Sequence, residues 1–543
     1  MKKVLIVSLA VTLISFAGFS QNIDREKLDA YFNTLFEHNR FMGSVAIARG
    51  SELIYSKSVG FADVEQGIKI DENTKFRIAS ISKTFTAVLI LKAVEENRLT
   101  LCQTIDKWFP EIGNADKITV EHLLRHQSGL YEFLGGYGVF SGRIMQPKTE
   151  QEIIEIIKKG RSNFEPGAQT VYNNSGFLLL TFILERIYEK SFAELVKEKI
   201  ANPIGLKNTR LGGRINSQNN ESHSYTFHRD WQQADEADIS QLLGTGGIVS
   251  TPTDLVKFSH ALFSGKLLSE NSLQQMKTMQ EDCQRTRRGF GMGLTQISFH
   301  HRIGHGHGGG IDAFSSMFAY LPDGEISFAV ISNARYFNFT DNINLVLLNA
   351  AYNMPFDIPE FITFDTSDID LDKFVGVYAS AQSPSQMTIT NVDNQLFAQM
   401  TGQPSFPLGM TGENQFENRQ VGLVLEFNPE NKTVIFRQFG IEVHFECKMS
   451  FEIPELVTLD TSDTDLNQFV GVYSSAQIPL QMTITNVDNQ LFAQMTGQPS
   501  FPLGMTGENQ FENRPMGLVL EFNPENKTVI FRQFGMEVHF ERE

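Results

Sequence analysis

The 543-residue chain has few cysteines, only two tryptophans and, beyond its first residues, no long apolar run. Its cysteines, Cys102, Cys283 and Cys447, form an odd, widely spaced set that predicts no disulfide framework. The chain also has a deficit of positive charge, because 46 Lys and Arg stand against 63 Asp and Glu, a formal net charge of −17. This balance argues against nucleic acid or an anionic membrane surface as a partner. The lack of a later apolar run predicts no membrane span.

Metal-ligand spacings are missing as well. No C-x-x-C or H-E-x-x-H pattern occurs. The pair His305 and His307 is flanked by glycines, but no acidic residue stands beside it at ligand spacing. We therefore expect no metal centre. The oligomeric state is left open by the sequence.

The first twenty residues have the pattern of a signal peptide. Lys2 and Lys3 precede an apolar stretch over residues 4–19, and Ser20 is a small residue before a cut at Gln21. The stretch is short and interrupted by hydroxyl residues, which is atypical of a membrane anchor. The pattern predicts a periplasmic or secreted protein.

A possible nucleophile lies in the stretch F-R-I-A-S-I-S-K. Ser80 and Lys83 form an S-x-x-K pair, and apolar residues at helical spacing follow over residues 84–97. A helix beginning near Ser80 would place both side chains on one face, one turn apart. The helix dipole would favour negative charge at the hydroxyl, and the amine would accept its proton. By itself the pair also occurs by chance.

Two further stretches carry groups suited to catalysis. Tyr172 and Asn174, two residues apart after a Pro-Gly turn, would place a proton carrier and an amide on one side of a loop. The sequence G-H-G-G-G at Gly306–Gly310 precedes two predicted strands, and its glycines would let a ligand approach the backbone closely. The alternative interpretations are an ordinary turn and a flexible loop.

Local patterns predict several supporting elements. Residues 44–48 and 53–59 are predicted to form an antiparallel hairpin. Thr119 is predicted to cap a short helix, near whose end His126 would act as a structural hydrogen-bonding group. Thr149 begins the capping box of the next helix.

Taken in order, the three stretches resemble the serine β-lactamase and penicillin-recognising family, in its class C, D-aminopeptidase and esterase branch. Linking stretches fit as well: G-F-A-D at 60–63, L-L-R-H-Q-S-G-L at 123–130, G-T-G-G-I-V-S-T-P-T-D-L at 244–255 and G-F-G-M-G at 289–293. The resemblance covers about residues 25–350. It implies an α/β (α+β) catalytic domain with a five-stranded antiparallel sheet flanked by helices, a helical subdomain, and a site between them.

The resemblance also implies roles for individual residues. Ser80 would be the nucleophile, Lys83 its base or proton relay, Tyr172 a second acid/base group, and Asn174 a ligand for the substrate amide. The implied reaction is acyl transfer to the serine followed by hydrolysis, and it needs no cofactor.

The third motif would form the strand edging the site. His307 and Gly309 would mark that strand, and the backbone N–H groups of Gly310 and Ser80 would form the oxyanion hole. The β-lactamases and transpeptidases of the family carry lysine at the position of His307. An unperturbed histidine is mostly neutral at pH 7, so it would hold a substrate carboxylate less well than lysine.

These observations predict an exported serine hydrolase that acts on a small ester, amide or D-amino-acid-containing peptide. Two alternatives remain open. One is a true β-lactamase or D,D-carboxypeptidase, and the other is a non-catalytic penicillin-recognising sensor or binding module.

The C-terminal third is a tandem repeat with an offset of 95 residues. Residues 387–419 recur unchanged as 482–514. We therefore predict four segments: a signal peptide at 1–20, a hydrolase domain at 21–355, and β-repeats at 356–446 and 451–543.

Each repeat is predicted to be a small β-barrel, a closure that removes sheet edges. The predicted strands of the first repeat are 374–378, 387–392, 396–400, 423–427, 433–439 and 442–445. The F-x-G-x-Y start at Phe374 resembles lipocalin-like barrels appended to serine hydrolases of this family. Such a barrel would either restrict access to the cleft or act as a spacer or binding module, and its phenylalanines are predicted to form its core.

Overall fold

The structure of the protein is a computed structural model. It describes residues 23–134, 144–227, 230–280, 290–334, 339–361, 369–380, 383–392, 395–401, 405–418, 422–438, 441–449, 465–475, 481–487, 490–495, 501–513, 518–533 and 536–542. The predicted signal peptide and Cys283 lie outside the described residues. The chain divides into two compact units, Met1–Pro359 and Glu360–Glu543. The boundaries predicted from the repeats stay predictions.

The first unit combines helices with short and long strands. Its described strands are β1 Gly43–Arg49, β2 Glu52–Val59, β3 Phe61–Asp63, β4 Ile68–Lys69, β5 Phe76–Arg77, β6 Arg210–Leu211, β7 Tyr225–Phe227, β8 Trp231–Gln233, β9 Ile248–Ser250, β10 Thr295–Phe299, β11 Arg302–Ile311, β12 Phe314–Leu321 and β13 Ile326–Ser332. Its described α-helices are α1 Arg25–Glu37, α2 Ser82–Glu95, α3 Val120–Leu124, α4 Glu150–Lys159, α5 Asn174–Tyr188, α6 Phe192–Val196, α7 Asn202–Ile204, α8 Leu243–Gly246, α9 Pro252–Phe263, α10 Glu270–Lys277 and α11 Phe339–Ala351.

A six-stranded antiparallel sheet is the frame of this unit, in the order β10-β11-β12-β13-β1-β2. The predicted hairpin of β1 and β2 is confirmed, with Gly43 opposite Val59. The fold class is also confirmed, although the sheet has six strands where the resemblance implied five. At one edge of the sheet, β10 pairs with β11 only as far as Gly306. Beyond Gly306 the edge of β11 is therefore not covered by β10.

Helix α2 runs through the middle of the unit, and it is apolar nearly all round because it is buried on nearly all sides. The rings of Phe85 on α2 and Phe258 on α9 stack with centroids 4.0 Å apart. The predicted N-caps are present, since the hydroxyl of Thr119 accepts from the N–H of His122 and Thr149 begins a complete capping box. These caps satisfy backbone groups that a helix leaves unpaired at its N-terminus.

The second unit contains two β-barrels. The first is built from β14 Gly376–Ser380, β15 Ser383–Val392, β16 Gln395–Met400, β17 Phe406–Pro407, β18 Gly409–Gly412, β19 Gln415–Asn418, β20 Leu423–Asn428, β21 Thr433–Gln438 and β22 Ile441–Met449. The second is built from β23 Gly471–Ser474, β24 Gln481–Val487, β25 Gln490–Met495, β26 Phe501–Gly507, β27 Gln510–Asn513, β28 Leu518–Asn523, β29 Thr528–Gln533 and β30 Met536–Arg542, and it is closed.

The two barrels differ at one point of closure. The first barrel has nine strands, and β17 and β18 stand at the two ends of their order. Leu408 lies between these two strands in the chain and interrupts the strand pairing there. The N–H of Leu408 still donates to the carbonyl of Leu396 at 2.8 Å. In the second barrel the equivalent residue, Leu503, pairs with Leu491 within the continuous strand β26. The same sequence therefore forms nearly the same barrel twice.

Phenylalanine rings fill the barrels. In the first, Phe374 lies 4.8 Å from Phe416 and 5.1 Å from Phe427 between ring centroids, and all three are buried. Within the F-x-G-x-Y start, the hydroxyl of Tyr378 donates to the carbonyl of Phe374 at 2.8 Å. Tyr473 makes the same bond in the second barrel. The side chains therefore form a core, as predicted, in place of a ligand cage.

Among the helices of the described residues, none combines the length and the apolar character that crossing a membrane requires.

Candidate active site

Ser80 lies in a single 3-10 turn, Ala79–Ile81, that leads directly into α2. The turn begins at Ala79 with a φ of 48°, in the left-handed region that few non-glycine residues adopt. Lys83, in the first turn of α2, donates from Nζ to Oγ of Ser80 at 3.1 Å. The predicted pairing of the two side chains across one helical turn is present.

The surroundings of Lys83 favour its neutral form. The side chain is fully buried, and Nζ lies 4.9 Å from the ring centroid of Tyr172 and 5.9 Å from that of Phe177. Burial lowers the pKa of Lys83 to about 7, and the carboxylate of Glu132 opposes this shift. Nζ also donates to the carbonyl of Thr245 at 2.8 Å, which fixes its direction. A lysine with this pKa can accept the serine proton near neutral pH.

Tyr172 stands beside the same pair. Burial raises the pKa of the Tyr172 phenol, an interaction with the Ser80 side chain lowers it, and the charge of Glu132 raises it further. The phenol therefore keeps its proton at neutral pH and can donate it. The ring of His126 packs on Tyr172 with centroids 4.5 Å apart, and its Nδ1 accepts from the backbone N–H of Asn173 at 3.1 Å. His126 thus has the structural role predicted for it.

Asn174 lies at the first position of α5, where the sequence suggested a loop. Its side chain is already engaged by the protein: Oδ1 accepts from the hydroxyl of Thr245 at 3.1 Å, and Nδ2 donates to Glu132 at 3.2 Å. A substrate amide would have to share or replace one of these contacts. The helix begins there because the neighbouring Asn173 provides the N-cap.

His307 faces the cluster from β11, with its ring centroid 6.3 Å from that of Tyr172. Its Nδ1 lies 2.5 Å from the carbonyl of Gly308, so the proton belongs on Nδ1 and Nε2 is an acceptor. Nε2 is buried and has no hydrogen-bond partner within the described part of the chain. Burial, followed by the charge of Lys83, lowers the pKa of His307 to about 4. The imidazole is therefore neutral at pH 7, as predicted. Because its pKa is lowered, it also stays neutral at more acidic pH than an ordinary histidine does.

The two glycines of the motif bring β11 close to the turn that holds Ser80. A Cβ atom at Gly309 would lie 2.3 Å from the carbonyl oxygen of Ile78 and 3.0 Å from Cβ of Ala79, so only glycine permits this approach. At Gly310 no heavy atom would lie closer than 3.9 Å, which leaves room beside the backbone. This packing is compatible with the oxyanion hole predicted from the N–H groups of Ser80 and Gly310.

Glu132 was not identified from the sequence. It lies in the loop after α3, partly exposed, and its carboxylate accepts from the N–H of Asn174 at 2.5 Å and from that of Leu134 at 3.0 Å. It contributes to the electrostatics of both Lys83 and Tyr172. Glu132 does not stand at a fixed sequence spacing from any of the three motifs. It reaches the site because the loop that carries it packs against the start of α5.

Comparisons of the sequence with known proteins find relatives over the region of the chain that contains the three motifs. A sequence profile of the family described as Beta-lactamase matches residues 28–352. The chain is similar to "Penicillin-binding protein 4*" of Bacillus subtilis (strain 168), with 26% identity over 429 residues, which is 74% of this chain and 93% of that one. It is also similar to "Teichoic acid D-alanine hydrolase" of Staphylococcus aureus (strain MRSA252), with 27% identity over 245 residues, which is 45% of this chain and 59% of that protein.

Solved structures agree as well. The D-amino acid amidase of Ochrobactrum anthropi SV3, complexed with D-phenylalanine, is similar with a TM-score of 0.54 and 25% identity, covering 60% of this chain and 99% of that chain. The octameric penicillin-binding protein homologue of Pyrococcus abyssi has a TM-score of 0.55 at 22% identity, covering 78% of this chain and 100% of that one. At that identity the second likeness concerns the fold alone.

Proposed function

The chain belongs to the Beta-lactamase family, and from that premise we propose that it hydrolyses a D-aminoacyl ester or amide through an acyl-enzyme on Ser80. Family membership confirms the resemblance found in the three motifs and makes the chain a serine hydrolase. The nucleophile, the roles of its neighbours and the substrate class are parts of the proposal. Its main support is the 3.1 Å contact between Oγ of Ser80 and the buried amine of Lys83.

In the proposed acylation, Lys83 Nζ takes the proton of Ser80 while Oγ attacks the carbonyl carbon of the substrate. The N–H groups of Ser80 and Gly310 receive the developing oxyanion. Tyr172 then donates its proton to the leaving oxygen or nitrogen, and the proton on Lys83 returns to the phenolate. In deacylation a water molecule attacks the acyl carbon, the same groups move its protons, and Ser80 regains its hydrogen.

The acceptors around this cluster support the proposed substrate class. Where the family's β-lactamases carry lysine, His307 offers a neutral ring whose Nε2 is an acceptor without a partner among the described residues. Glu132 adds a carboxylate beside Asn174. Both groups suit an ammonium group better than a carboxylate, because one is an acceptor and the other is an anion. A D-amino acid with a free α-amino group is such a substrate, and two of the similar proteins are named for D-alanine and D-amino acid chemistry.

One observation favours a second candidate, a D,D-carboxypeptidase or β-lactamase. The similarity to "Penicillin-binding protein 4*" extends over more of the chain than the similarity to the D-alanine hydrolase. Substrates of that candidate carry a carboxylate near the scissile bond, which a neutral His307 would hold weakly. The two candidates therefore differ in the charge of the preferred substrate.

The test compares matched substrates on the purified full chain. We expect the highest kcat/KM with D-alanine ethyl ester, a loss of at least about tenfold on N-acetylation, and no turnover by Ser80→Ala. Glu132→Gln should weaken the preference for the free amine, whereas Glu165→Gln, which removes an exposed carboxylate paired with Lys117, should leave it unchanged. Faster turnover of D-alanyl-D-alanine peptides or nitrocefin than of the amino ester would favour the second candidate instead.

We also propose that residues 1–20 direct export, and that the barrels are lipocalin-like appendages. Expression of the full chain should yield a periplasmic or secreted protein whose first residue is Gln21, as read by mass spectrometry of its N-terminal peptide. An intact Met1 in the fractionated protein would contradict export by cleavage.

A further inference from the structure

Arg77 stands three residues before Ser80 and is almost fully buried, with 1% of its surface exposed. It is the last residue of β5, the strand that leads into the turn of the nucleophile. Its guanidinium donates to four acceptors: Oδ2 of Asp312 at 3.0 Å, Oε1 of Glu236 at 2.6 Å, the carbonyl of Ala237 at 2.8 Å and the carbonyl of Gly213 at 3.0 Å. The catalytic steps proposed above use none of these groups.

Asp312, the partner of Arg77 in this contact, lies in a tight turn between two strands. Ile311 pairs with Phe314, so Asp312 and Ala313 form the two-residue turn between β11 and β12. Asp312 has a φ of 52°, in the left-handed region that Asp and Asn tolerate better than most residues. Its second carboxylate oxygen, Oδ1, accepts from the N–H of Ala237 at 2.9 Å. The turn begins two residues after Gly310.

The two halves of the proposed oxyanion hole come from segments that are far apart in the chain. The N–H of Ser80 belongs to the turn after β5, and that of Gly310 belongs to β11. The turn after β5 is also tied to β12, the strand beside β11, since the hydroxyl of Ser316, whose partner on β11 is Gly309, donates to the carbonyl of Ile78 at 2.8 Å. The Arg77–Asp312 pair adds a buried, charged bridge between a residue three positions before Ser80 and a residue two positions after Gly310.

We propose that Arg77 and Asp312 are positioning residues that hold the N–H groups of Ser80 and Gly310 at the separation the oxyanion requires. This inference rests on the acyl-enzyme function proposed above. An arginine suits this role because its planar fork reaches several fixed acceptors at once, so the position of the turn is tied to that of the strand. A displacement of about 1 Å in a catalytic group costs about 100-fold in rate. The effect should therefore appear in the transition state more than in substrate binding.

Asp312→Asn is the variant that isolates this effect. Asparagine has the same size, tolerates the left-handed backbone, and can still accept from the N–H of Ala237 through Oδ1. Its Nδ2 then replaces the acceptor that faces Arg77, so the bridge between Arg77 and residue 312 is lost while Arg77 keeps Glu236. We expect kcat to fall about 10- to 100-fold while KM stays within about threefold. The control is Asp323→Asn, which removes the exposed partner of Arg302 near the other end of β11 and should leave kcat unchanged.

A second measurement separates this inference from the proposed function. A boronic acid such as phenylboronic acid forms a tetrahedral adduct on the serine that mimics the oxyanion, and the ratio of its affinities for the wild type and a variant can be measured without knowing which ester is the substrate. The boronate should bind Asp312→Asn and Arg77→Lys about 10- to 100-fold more weakly than the wild type, in proteins whose melting curves show a folded state.

The outcomes are decisive in each direction. Equal boronate affinity in the wild type and in either folded variant would overturn the positioning role. If the wild type binds the boronate but does not hydrolyse aminoacyl esters, the proposed substrate is wrong. The boronate affinities of the two variants would then still decide the positioning role. A wild type that binds no boronate at all would overturn both. If Asp312→Asn does not fold, the boronate affinity of Arg77→Lys tests the positioning role instead.

Discussion

The amine of Lys83 lies 3.1 Å from the hydroxyl of Ser80 and 2.8 Å from the carbonyl of Thr245, in a site that excludes water from the lysine. Burial is the cause of its low pKa of about 7. Two consequences of this arrangement can be measured separately, one in activity and one in stability.

The activity should rise with pH as Lys83 loses its proton. With N-acetyl-D-alanine ethyl ester, which has no amine of its own to titrate, kcat/KM should increase between pH 5 and 9 with an apparent pKa near 7. Lys83→Arg should be inactive across the range, because arginine keeps its proton. A wild-type profile that is flat from pH 5 to 9 would contradict Lys83 as the base.

The stability should also rise with pH, but over a higher pH range. Since the folded pKa of Lys83 lies below its unfolded value, the unfolded chain binds more protons between about pH 7 and pH 10, and the free energy of unfolding should rise with pH there. Below pH 7 the full cost of burying the charge applies. Lys83→Met should therefore be more stable than the wild type at pH 6, by about 1–3 kcal/mol, with the difference shrinking towards pH 10. Urea unfolding at both pH values measures it.

Tyr172→Phe removes the proposed proton donor to the leaving group and keeps the ring that packs on His126. We expect kcat to fall by about 10²- to 10⁴-fold with little change in stability. Tyr55→Phe is the control, because Tyr55 donates to Asp29 on α1 and its loss should not affect kcat. An unchanged kcat in Tyr172→Phe would leave that tyrosine a packing residue.

His307→Lys tests the charge of the substrate site. Because the pKa of His307 is about 4, the ring stays neutral from pH 5 to 8, so any pH dependence in that range must come from another group. The variant should gain affinity for substrates with a carboxylate and lose preference for D-alanine esters. Steady-state KM values for nitrocefin and the amino ester in both proteins measure the shift. Rapid nitrocefin hydrolysis by the wild type would show that a neutral residue here does not exclude β-lactams.

The barrels can be removed to test whether they affect the substrate. The chain should be cut after Pro359, because Phe356 is buried and packs edge-on against Tyr31 of α1, 6.4 Å between ring centroids. If the barrels only space or tether the enzyme, kcat/KM for small esters and for longer peptides should both be unchanged. A change in the ratio between short and long substrates would indicate that a barrel restricts access.

Much of the site was predictable because its residues lie in short local patterns. The spacing of Ser80 and Lys83 fixes them on one helix face, and the glycine at position 309 signals a close backbone approach that the structure contains. Glu132 was not predictable, since it reaches the site from a loop and is brought there by the packing of α3 and α5. The pKa of His307 was also beyond the sequence, because it depends on burial and on a charge from α2.

The barrels illustrate the same limit. Strands rich in Val, Ile and Phe were predicted, but Phe406–Gly412 was not, because its proline and glycines disfavour a strand in isolation. The structure uses this segment to complete the barrel, as β17 and β18 in one copy and as β26 in the other. Closure is a property of the whole sheet, and it overrides the weak local preference of the segment that completes it.

The duplicated barrels also pose a problem of self-recognition during folding. Residues 387–419 and 482–514 are identical, and the strands of both copies pair in the same register, as in Met387 with Met400 and Met482 with Met495. Side chains alone therefore cannot distinguish the correct neighbour of a strand from its duplicate 95 residues away. Only the shorter loop to the neighbour in the same copy favours correct pairing, because closing a longer loop costs more entropy. Strand exchange between copies is thus a misfolding route inherent in this chain, and each substitution that separates the two sequences would suppress it.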